Sequence, residues 1–193
     1  MFSWILVITL VLSWQGFKNQ TLKQKMLFSP YRVSHYGELW RLVSHAFVHA
    51  DTAHLLINMF VLYSFAPLLE SIMGQHQFLA LYFGGILAAS VPAMITKKNR
   101  PQYASLGASG AVAAVIFAFI VRFPAEQLLL FFIIPIPAWL AGVGYLAYEY
   151  YQTGKRSRIA HDAHLGGAIY GMAFTAWTVP GSFPAFLTAI MGG

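Results

Sequence analysis

The chain has 193 residues, of which 58% are hydrophobic and only 9% are charged. A soluble domain normally has about a quarter of its residues charged, so this composition excludes one and predicts several membrane-spanning helices. The chain contains no cysteine, which excludes disulfides, thiolate metal sites and cysteine nucleophiles. The net charge of +6 suits the surface of a lipid bilayer. No basic cluster has the context of a nucleic-acid-binding motif, so we expect no nucleic-acid partner.

Six apolar runs have lengths near the roughly 20 residues that span a bilayer. They cover residues 2–17, 52–73, 77–95, 107–123, 126–150 and 163–179. The sequence therefore predicts an all-α membrane protein, a six-helix transmembrane bundle that forms a single domain over residues 1–193. We expect the long first loop to contain short helices at the membrane interface, with Tyr36 and Trp40 at headgroup depth. We also expect Pro135 and Pro137 to kink the fifth helix.

A serine between small residues, Gly107-Ala108-Ser109-Gly110, opens the fourth run. Glycine at 107 permits a tight turn, and glycine at 110 permits the close approach of another helix. Alone, this pattern is more often a packing device than a reactive site. The G-x-S-x-G elbow of soluble hydrolases is not met, because Ala111 stands where its last glycine belongs.

The second, fourth and sixth runs cross the membrane in the same direction, and each has polar side chains near its start. These are His54 and Asn58, Ser109, and His164. If the small-residue faces of the fourth and sixth helices pack together, His164 comes within hydrogen-bond distance of Ser109 and could act as its general base. His54 and Asn58 share one helical face and could donate hydrogen bonds to an oxyanion, beside the backbone N–H of Ser109.

Other roles for the histidines stay open. A histidine in a membrane helix is often only a packing or hydrogen-bonding residue, and His45, His49 and His54 could together hold a zinc ion. No H-E-x-x-H motif accompanies them. We therefore expect neither a metal nor another cofactor.

The sequence offers no evident carboxylate to orient His164. Asp162 lies two residues earlier and would point to another side of the helix. Glu70, Glu126 and Glu149 are assigned to other depths. We therefore expect a Ser-His dyad.

Five motifs in this chain resemble those of the rhomboid intramembrane serine proteases, and the resemblance covers nearly the whole chain. They are Trp40-Arg41, His54-Leu55-Leu56-Ile57-Asn58 (H-x-x-x-N), Glu70-Ser71-Ile72-Met73-Gly74 (E-x-x-x-G), Gly107-Ala108-Ser109-Gly110 (G-x-S-G), and Ala163-His164-Leu165-Gly166-Gly167 followed by Gly171 (A-H-x-x-G-x-x-x-G). Each motif is weak singly, but five in this order on these spans make a strong resemblance.

The resemblance implies an intramembrane serine endopeptidase that cleaves transmembrane segments of other membrane proteins. It implies that Ser109 is the nucleophile and His164 the base, and that His54, Asn58 and Gly107 form the oxyanion and substrate-binding residues. The alternative is a catalytically silent rhomboid-like protein that binds membrane clients. Silent relatives typically lack the serine or the histidine, and this chain has both.

One position departs from the family pattern. Many members carry an aromatic residue four positions after the serine, where it stacks on the catalytic histidine, and here that position is Ala113. Either another aromatic residue, such as Phe117, replaces it, or His164 is held less firmly.

The resemblance also implies that the fifth helix and the first loop gate substrate entry. We expect Phe131, Phe132 and Trp139 to close the seam between the fifth helix and the second. We further expect a multi-pass protein of a bacterial inner or cell membrane. Lys and Arg are concentrated in the odd-numbered loops, which places the site in the cytoplasm by the positive-inside rule. Many bacterial rhomboids open to the outside instead, and both orientations stay open, as does the oligomeric state.

Overall fold

The computed structural model describes residues 1–130, 133–155, 157 and 159–191, and most of these residues are helical. The helices are α1 (Phe2–Lys18), α2 (Gln20–Met26), α3 (Pro30–Tyr36), α4 (Arg41–Ser44), α5 (Thr52–Thr96), α6 (Ser109–Arg122), α7 (Ala138–Gln152), α8 (His161–Thr178) and α9 (Ser182–Met191). A 3₁₀ turn, His45–Phe47, follows α4. Two strands, β1 (Gln127–Leu130) and β2 (Ile134–Pro137), form an antiparallel hairpin between α6 and α7.

Helix α6 lies at the centre of the molecule. All of its residues are buried except Ser109, Ile116 and Arg122. A helix that is apolar on every side is buried by neighbouring helices, and α6 packs against α5 and α8, which also pack against each other. The first residue of this central helix is therefore held by three mutually packed elements.

Helix α5 consists of two arms that meet at Gly74, where the backbone has φ 78° and ψ 163°. Residues that carry a side chain rarely adopt such a positive φ, so glycine suits this position. The first arm runs parallel to α6 and the second antiparallel to it, as four contacts indicate: His54 with Gly107 and Phe65 with Phe119 for the first arm, and Gly85 with Ala114 and Ala89 with Gly110 for the second. The two arms correspond to the second and third predicted spans.

Length and composition identify one helix of the described residues as able to cross a membrane, which is α5. Helices α1, α6 and α9 are apolar but shorter. The helical fold is thus confirmed, whereas the count of six spanning helices is not.

The predicted fifth helix, residues 126–150, is wrong in its N-terminal half. Residues 127–130 and 134–137 form the β-hairpin, and α7 begins only at Ala138. Pro135 lies in β2 and Pro137 caps the start of α7, so neither proline kinks a helix. A proline favours an extended conformation in the residue before it, which suits a strand and delays the helix until both prolines have passed. The aromatic pair of the predicted gate, Phe131 and Phe132, lies outside the described residues.

The predicted packing of small residues between α6 and α8 is confirmed. A Cβ atom added at Gly167 would overlap the backbone of Gly110, and one added at Gly171 would overlap the backbone of Ala114. The two backbones are therefore in direct contact. Such close approach is possible only where side chains are absent or very small.

The first loop folds into short helices, as expected, and the buried Arg41 holds them together. Its Nη1 atom donates hydrogen bonds to the carbonyl oxygens of Gln24 at 3.0 Å and Leu27 at 2.7 Å. Its Nε atom bonds to Glu38, which also accepts from Arg32 at 2.8 Å. Hydrogen bonds from the two guanidinium groups lower the pKa of Glu38 to about 2.

Candidate active site

The turn before α6 presents Ser109 as the first residue of that helix. Gly107 has φ 109°, and its N–H donates to the carbonyl oxygen of His45 at 2.9 Å. A Cβ atom at Gly107 would lie 2.5 Å from Cε1 of His54, so the imidazole of His54 rests directly against this glycine. Both the backbone angle and the neighbouring ring require glycine here.

The hydroxyl of Ser109 and the imidazole of His164 are in contact. Ser109 Oγ lies 2.8 Å from His164 Nε2, which is an ordinary hydrogen-bond distance. His164 reaches this position because it lies in the first turn of α8, and α8 packs against α6 through Gly167. The geometry that the packing argument requires is thus present, and the catalytic roles of the two residues stay predictions.

A buried carboxylate adjoins His164, contrary to the expectation of a dyad without one. Glu149 Oε1 lies 2.9 Å from His164 Nδ1, and Oε2 of the same carboxylate lies 2.5 Å from His161 Nδ1. The expectation that Glu149 lies at another depth is therefore wrong. Glu149 lies in the last turn of α7, and the short connection from Gln152 to His161 brings that turn beside the first turn of α8. The position of Glu149 one residue before the predicted end of its helix, at residue 150, was the signal in the sequence.

An aromatic ring also lies beside His164, but it is not Phe117. The Tyr145 ring is roughly parallel to the imidazole of His164, with an interplanar angle of 30° and a centroid distance of 6.4 Å. Phe117 contacts Tyr145 instead, at 5.6 Å between centroids. The aromatic ring beside His164 thus belongs to α7, one helical turn before Glu149.

The predicted oxyanion residues lie at the start of α5. The backbone N–H of His54 donates to the capping side chain of Asp51 at 2.8 Å, while its ring faces Gly107. Asn58 is buried, and its amide nitrogen donates to the carbonyl oxygen of His54 at 2.8 Å. One amide hydrogen of Asn58 is therefore used within its own helix, and the second is left for another acceptor.

The start of α6 offers backbone donors as well. In any α-helix the first N–H groups have no partner within the helix, and the aligned peptide dipoles make that end positive. Ser109 and Gly110 are the first two residues of α6. Their N–H groups therefore face a position where negative charge is favoured.

His49 also supports the turn before Ser109, which the sequence reasoning missed. Its Nε2 atom accepts a hydrogen bond from the Ala108 N–H at 3.3 Å, and its Nδ1 atom lies 2.9 Å from Ser13 Oγ. Burial lowers the pKa of His49 to about 3, and burial likewise lowers the pKa of His45 to about 4. Both rings are therefore neutral near pH 7.

The residues that could hold a metal ion are not the three histidines considered for zinc in the sequence analysis. Among the described residues, the group whose ligand atoms lie close enough together to hold a metal ion is Glu149, His161 and His164. These atoms all lie within 4.8 Å of one another. In contrast, His45 Nδ1 pairs with the Arg41 carbonyl at 2.9 Å, and both ring nitrogens of His49 are engaged. His45, His49 and His54 are not among the described residues whose ligand atoms lie close enough together to hold a metal ion.

Comparisons with known proteins agree with the motifs. The model of the rhomboid domain matches residues 36–181. RHOMBOID-like protein 12, mitochondrial, of Arabidopsis thaliana is 32% identical over 180 residues, which cover 85% of this chain and 53% of that protein. Presenilin-associated rhomboid-like protein, mitochondrial, of Homo sapiens is 32% identical over 136 residues, covering 68% of this chain and 36% of that protein. Rhomboid protein 1, mitochondrial, of Saccharomyces cerevisiae is 33% identical over 139 residues, which cover 69% of this chain and 40% of that protein.

These relatives correct one expectation. All three are named as mitochondrial proteins, which contradicts the assignment to a bacterial inner or cell membrane. This chain spans about half the length of the plant relative and little more than a third of the human one. The matched range covers most of the chain. It contains the five motifs and the two residues in contact, Ser109 and His164. The chain belongs to the rhomboid family.

Proposed function

We propose that the chain is an intramembrane serine endopeptidase that cleaves transmembrane segments of other membrane proteins. The observation that carries the proposal is the 2.8 Å contact between Ser109 Oγ and His164 Nε2, at the start of a buried helix. A serine hydroxyl is a weak nucleophile at its ordinary pKa, and an adjacent imidazole base activates it. Membership of a family that includes serine proteases supports the same reaction.

In the acylation step, Ser109 Oγ attacks the carbonyl carbon of the scissile peptide while His164 Nε2 takes the hydroxyl proton. A tetrahedral intermediate forms, with the negative charge on the former carbonyl oxygen. His164 then gives the proton to the leaving nitrogen, the C–N bond breaks, and an ester to Ser109 remains. A water molecule hydrolyses this ester by the same sequence of proton transfers, which restores the serine.

The oxyanion is stabilised by donors around the turn before α6. In this proposal the donors are the N–H groups at the start of α6 and the imidazole of His54, which lies against Gly107, two residues before Ser109. Asn58 contributes the amide hydrogen that it does not donate to His54. Preorganised donors of this kind usually provide a large part of the rate enhancement in acyl transfer.

The substrate class follows from the composition and the family. A chain with 58% hydrophobic and 9% charged residues belongs in a lipid bilayer, where it meets other membrane proteins. The relatives suggest a mitochondrial membrane for this chain. In this proposal the whole of residues 1–193 forms one multi-pass domain, without a metal or other cofactor and without a nucleic-acid partner.

A fluorophosphonate probe tests the proposal, because it reacts covalently with an activated serine. The purified protein in detergent should be labelled and should cleave a model transmembrane substrate. The Ser109→Ala variant should keep the wild-type melting temperature and lose both activities. A wild type that folds but neither reacts nor cleaves, while it still binds a transmembrane client, would favour the silent client-binding role instead.

A further inference from the structure

Glu149 is a buried carboxylate for which the dyad mechanism has no use. Its side chain is 5% exposed, and it lies in the last turn of α7. A carboxylate taken out of water costs several kcal/mol unless hydrogen-bond donors compensate for the lost hydration, on the order expected for buried ions. Each of the two carboxylate oxygens is contacted by an imidazole ring, Oε1 by His164 and Oε2 by His161.

The two contacts determine which nitrogen of His164 carries the proton. An ionised carboxylate can only accept hydrogen bonds, so the 2.9 Å contact to Glu149 Oε1 requires a proton on His164 Nδ1. The neutral ring then has its lone pair on Nε2, which lies 2.8 Å from Ser109 Oγ. This is the tautomer that a general base facing the serine needs.

The second oxygen of the carboxylate is fixed as well. His161 Nδ1 lies 2.5 Å from Glu149 Oε2, and His161 Nε2 lies 3.2 Å from Ser157 Oγ. His161 is itself buried, with 5% of its surface exposed. With both oxygens engaged, the carboxylate has little freedom to rotate away from His164.

Helix α7 places two side chains of one face beside His164. Tyr145 and Glu149 are four residues apart, so they point the same way from the helix. The Tyr145 ring is roughly parallel to the imidazole at 6.4 Å between centroids, and Glu149 contacts the Nδ1 edge of the imidazole. The Glu149 contact sets the rotation of the ring and its tautomer.

We infer that Glu149 is a positioning residue of the proposed protease, the third member of a Ser109–His164–Glu149 triad. The inference rests on the proposed function. When His164 takes the serine proton, it becomes an imidazolium, and the negative charge of Glu149 stabilises that cation. The carboxylate stays ionised throughout, because the proton on Nε2 passes to the leaving nitrogen and the proton on Nδ1 does not move.

The test compares kcat and KM for Glu149→Gln with those of the wild type. Glutamine keeps the volume but removes the charge, and it replaces one of the two acceptor oxygens by an NH2 group that can only donate. We expect kcat to fall at least about a hundredfold, while KM changes less than about threefold, because the loss acts on the transition state and not on substrate binding. The matched control is Glu126→Gln, which replaces an exposed glutamate and should leave both constants unchanged.

Glu149→Asp provides a second, independent variant. Aspartate keeps the charge but withdraws it by one methylene, so kcat should recover at least about tenfold over the glutamine variant, as expected when charge and distance both matter. If Glu149→Gln does not fold, Glu149→Asp decides alone: we expect a kcat below that of the wild type at an unchanged KM, and a wild-type kcat would overturn the inference.

The outcomes separate the inference from the proposed function. If the wild type is labelled at Ser109 and cleaves substrate, but Glu149→Gln has a kcat within threefold of it, the positioning role is wrong and the protease assignment stands. A KM that rises as much as kcat falls would also overturn the positioning role, since it indicates a general distortion of the site. If the wild type is neither labelled nor active, both proposals fail together.

Discussion

At the scale of single residues, the site depends on one glycine and two histidines that precede the serine in the sequence. Gly107 has φ 109°, which residues with a side chain rarely adopt. The ring of His54 occupies the space that a side chain at position 107 would need. His49 accepts a hydrogen bond from Ala108, so the turn is held from both sides. Ser109 is therefore presented by a rigid turn whose shape does not depend on the serine itself.

The oxyanion donors can be tested individually. His54→Ala and Asn58→Ala should each lower kcat by about ten- to a thousandfold, the range typical of a lost oxyanion donor, and should change KM less. Steady-state cleavage of a transmembrane substrate measures both constants. Asn58→Ala also removes the hydrogen bond from the Asn58 amide to the His54 carbonyl oxygen, so this variant should have a slightly lower melting temperature. Equal kcat values in all three proteins would remove both residues from the oxyanion site.

A chelator distinguishes the hydrogen-bonded triad from a metal site built on Glu149 and its two histidines. The contacts from Glu149 to the two histidines, 2.5 Å and 2.9 Å, are hydrogen-bond lengths. A zinc ion bound at about 2 Å from each ligand would have to push these atoms apart. We therefore expect full activity after treatment with EDTA or phenanthroline. Inhibition by chelator that zinc reverses would contradict this expectation.

At the scale of helices, the distance between serine and histidine is set by the contact of α6 with α8. Lipid tails are as apolar as leucine, so helices in a membrane gain little from hiding apolar side chains and associate through close packing instead. The backbones of α6 and α8 touch at Gly167 and Gly171. An ion pair of 2.7 Å between Lys97 and Asp162 ties the start of α8 to the end of α5.

Gly167 is the sensitive position in this contact, since it lies one turn from His164. A Cβ atom there overlaps the backbone of Gly110, which cannot move as a flexible side chain could. Gly167→Val should therefore separate the helices and lower activity about a hundredfold, the scale expected for a catalytic group displaced by about 1 Å. Turnover and thermal unfolding in detergent measure both effects.

Two further variants make this test specific. Gly167→Ala should show a smaller loss of the same kind, because its single Cβ already meets the Gly110 backbone. Gly144→Ala in α7 is the matched control, as a Cβ there meets nothing within 4 Å. If the valine variant turned over substrate like the wild type, α6 and α8 would not meet through this face.

The elements also show where the sequence was informative. Spacing of small residues predicted the contact of α6 and α8, because that packing depends on residue size, which can be read directly. The hairpin before α7 was missed because an apolar run of this length reads as a helix, although its two prolines favour extended structure. Glu149 and Tyr145 could have been found from the sequence: the fifth predicted helix ends at residue 150 and the sixth begins at residue 163, so the last turns of one adjoin the first turn of the other.

At the scale of the whole molecule, the first loop is part of the core and supports the site. Arg41 ties α4 to the segment around α2, and the carbonyl oxygen of His45 anchors the Gly107 N–H. His45 and His49 are both buried between this loop and the helices. The loop, the turn before α6 and the site should therefore unfold together.

The two buried histidines predict how stability depends on pH. Burial lowers the pKa of His45 to about 4 and that of His49 to about 3, against 6.5 ordinarily. The neighbouring charges on His49, from His54, Asp51 and Lys23, are smaller influences than burial. Because both folded pKa values are depressed, their stabilising effect is complete above pH 6.5 and is lost as the pH falls toward 4.

Each of these histidines should lower the free energy of unfolding by about 1.4 kcal/mol per pH unit within that window, because the unfolded chain binds a proton that the folded chain cannot. We expect the melting temperature in detergent to be constant from pH 8 to about 7 and to fall steadily below pH 6.5, the ordinary pKa. His49→Gln keeps an oxygen that can accept from Ala108 but does not titrate, so its melting temperature should depend less on pH. His76→Gln changes an exposed histidine and should keep the wild-type slope. A wild-type melting temperature that did not change between pH 7 and pH 4.5 would show that neither His45 nor His49 is buried in its neutral form, and the support given to Ser109 by the first loop would then have to be abandoned.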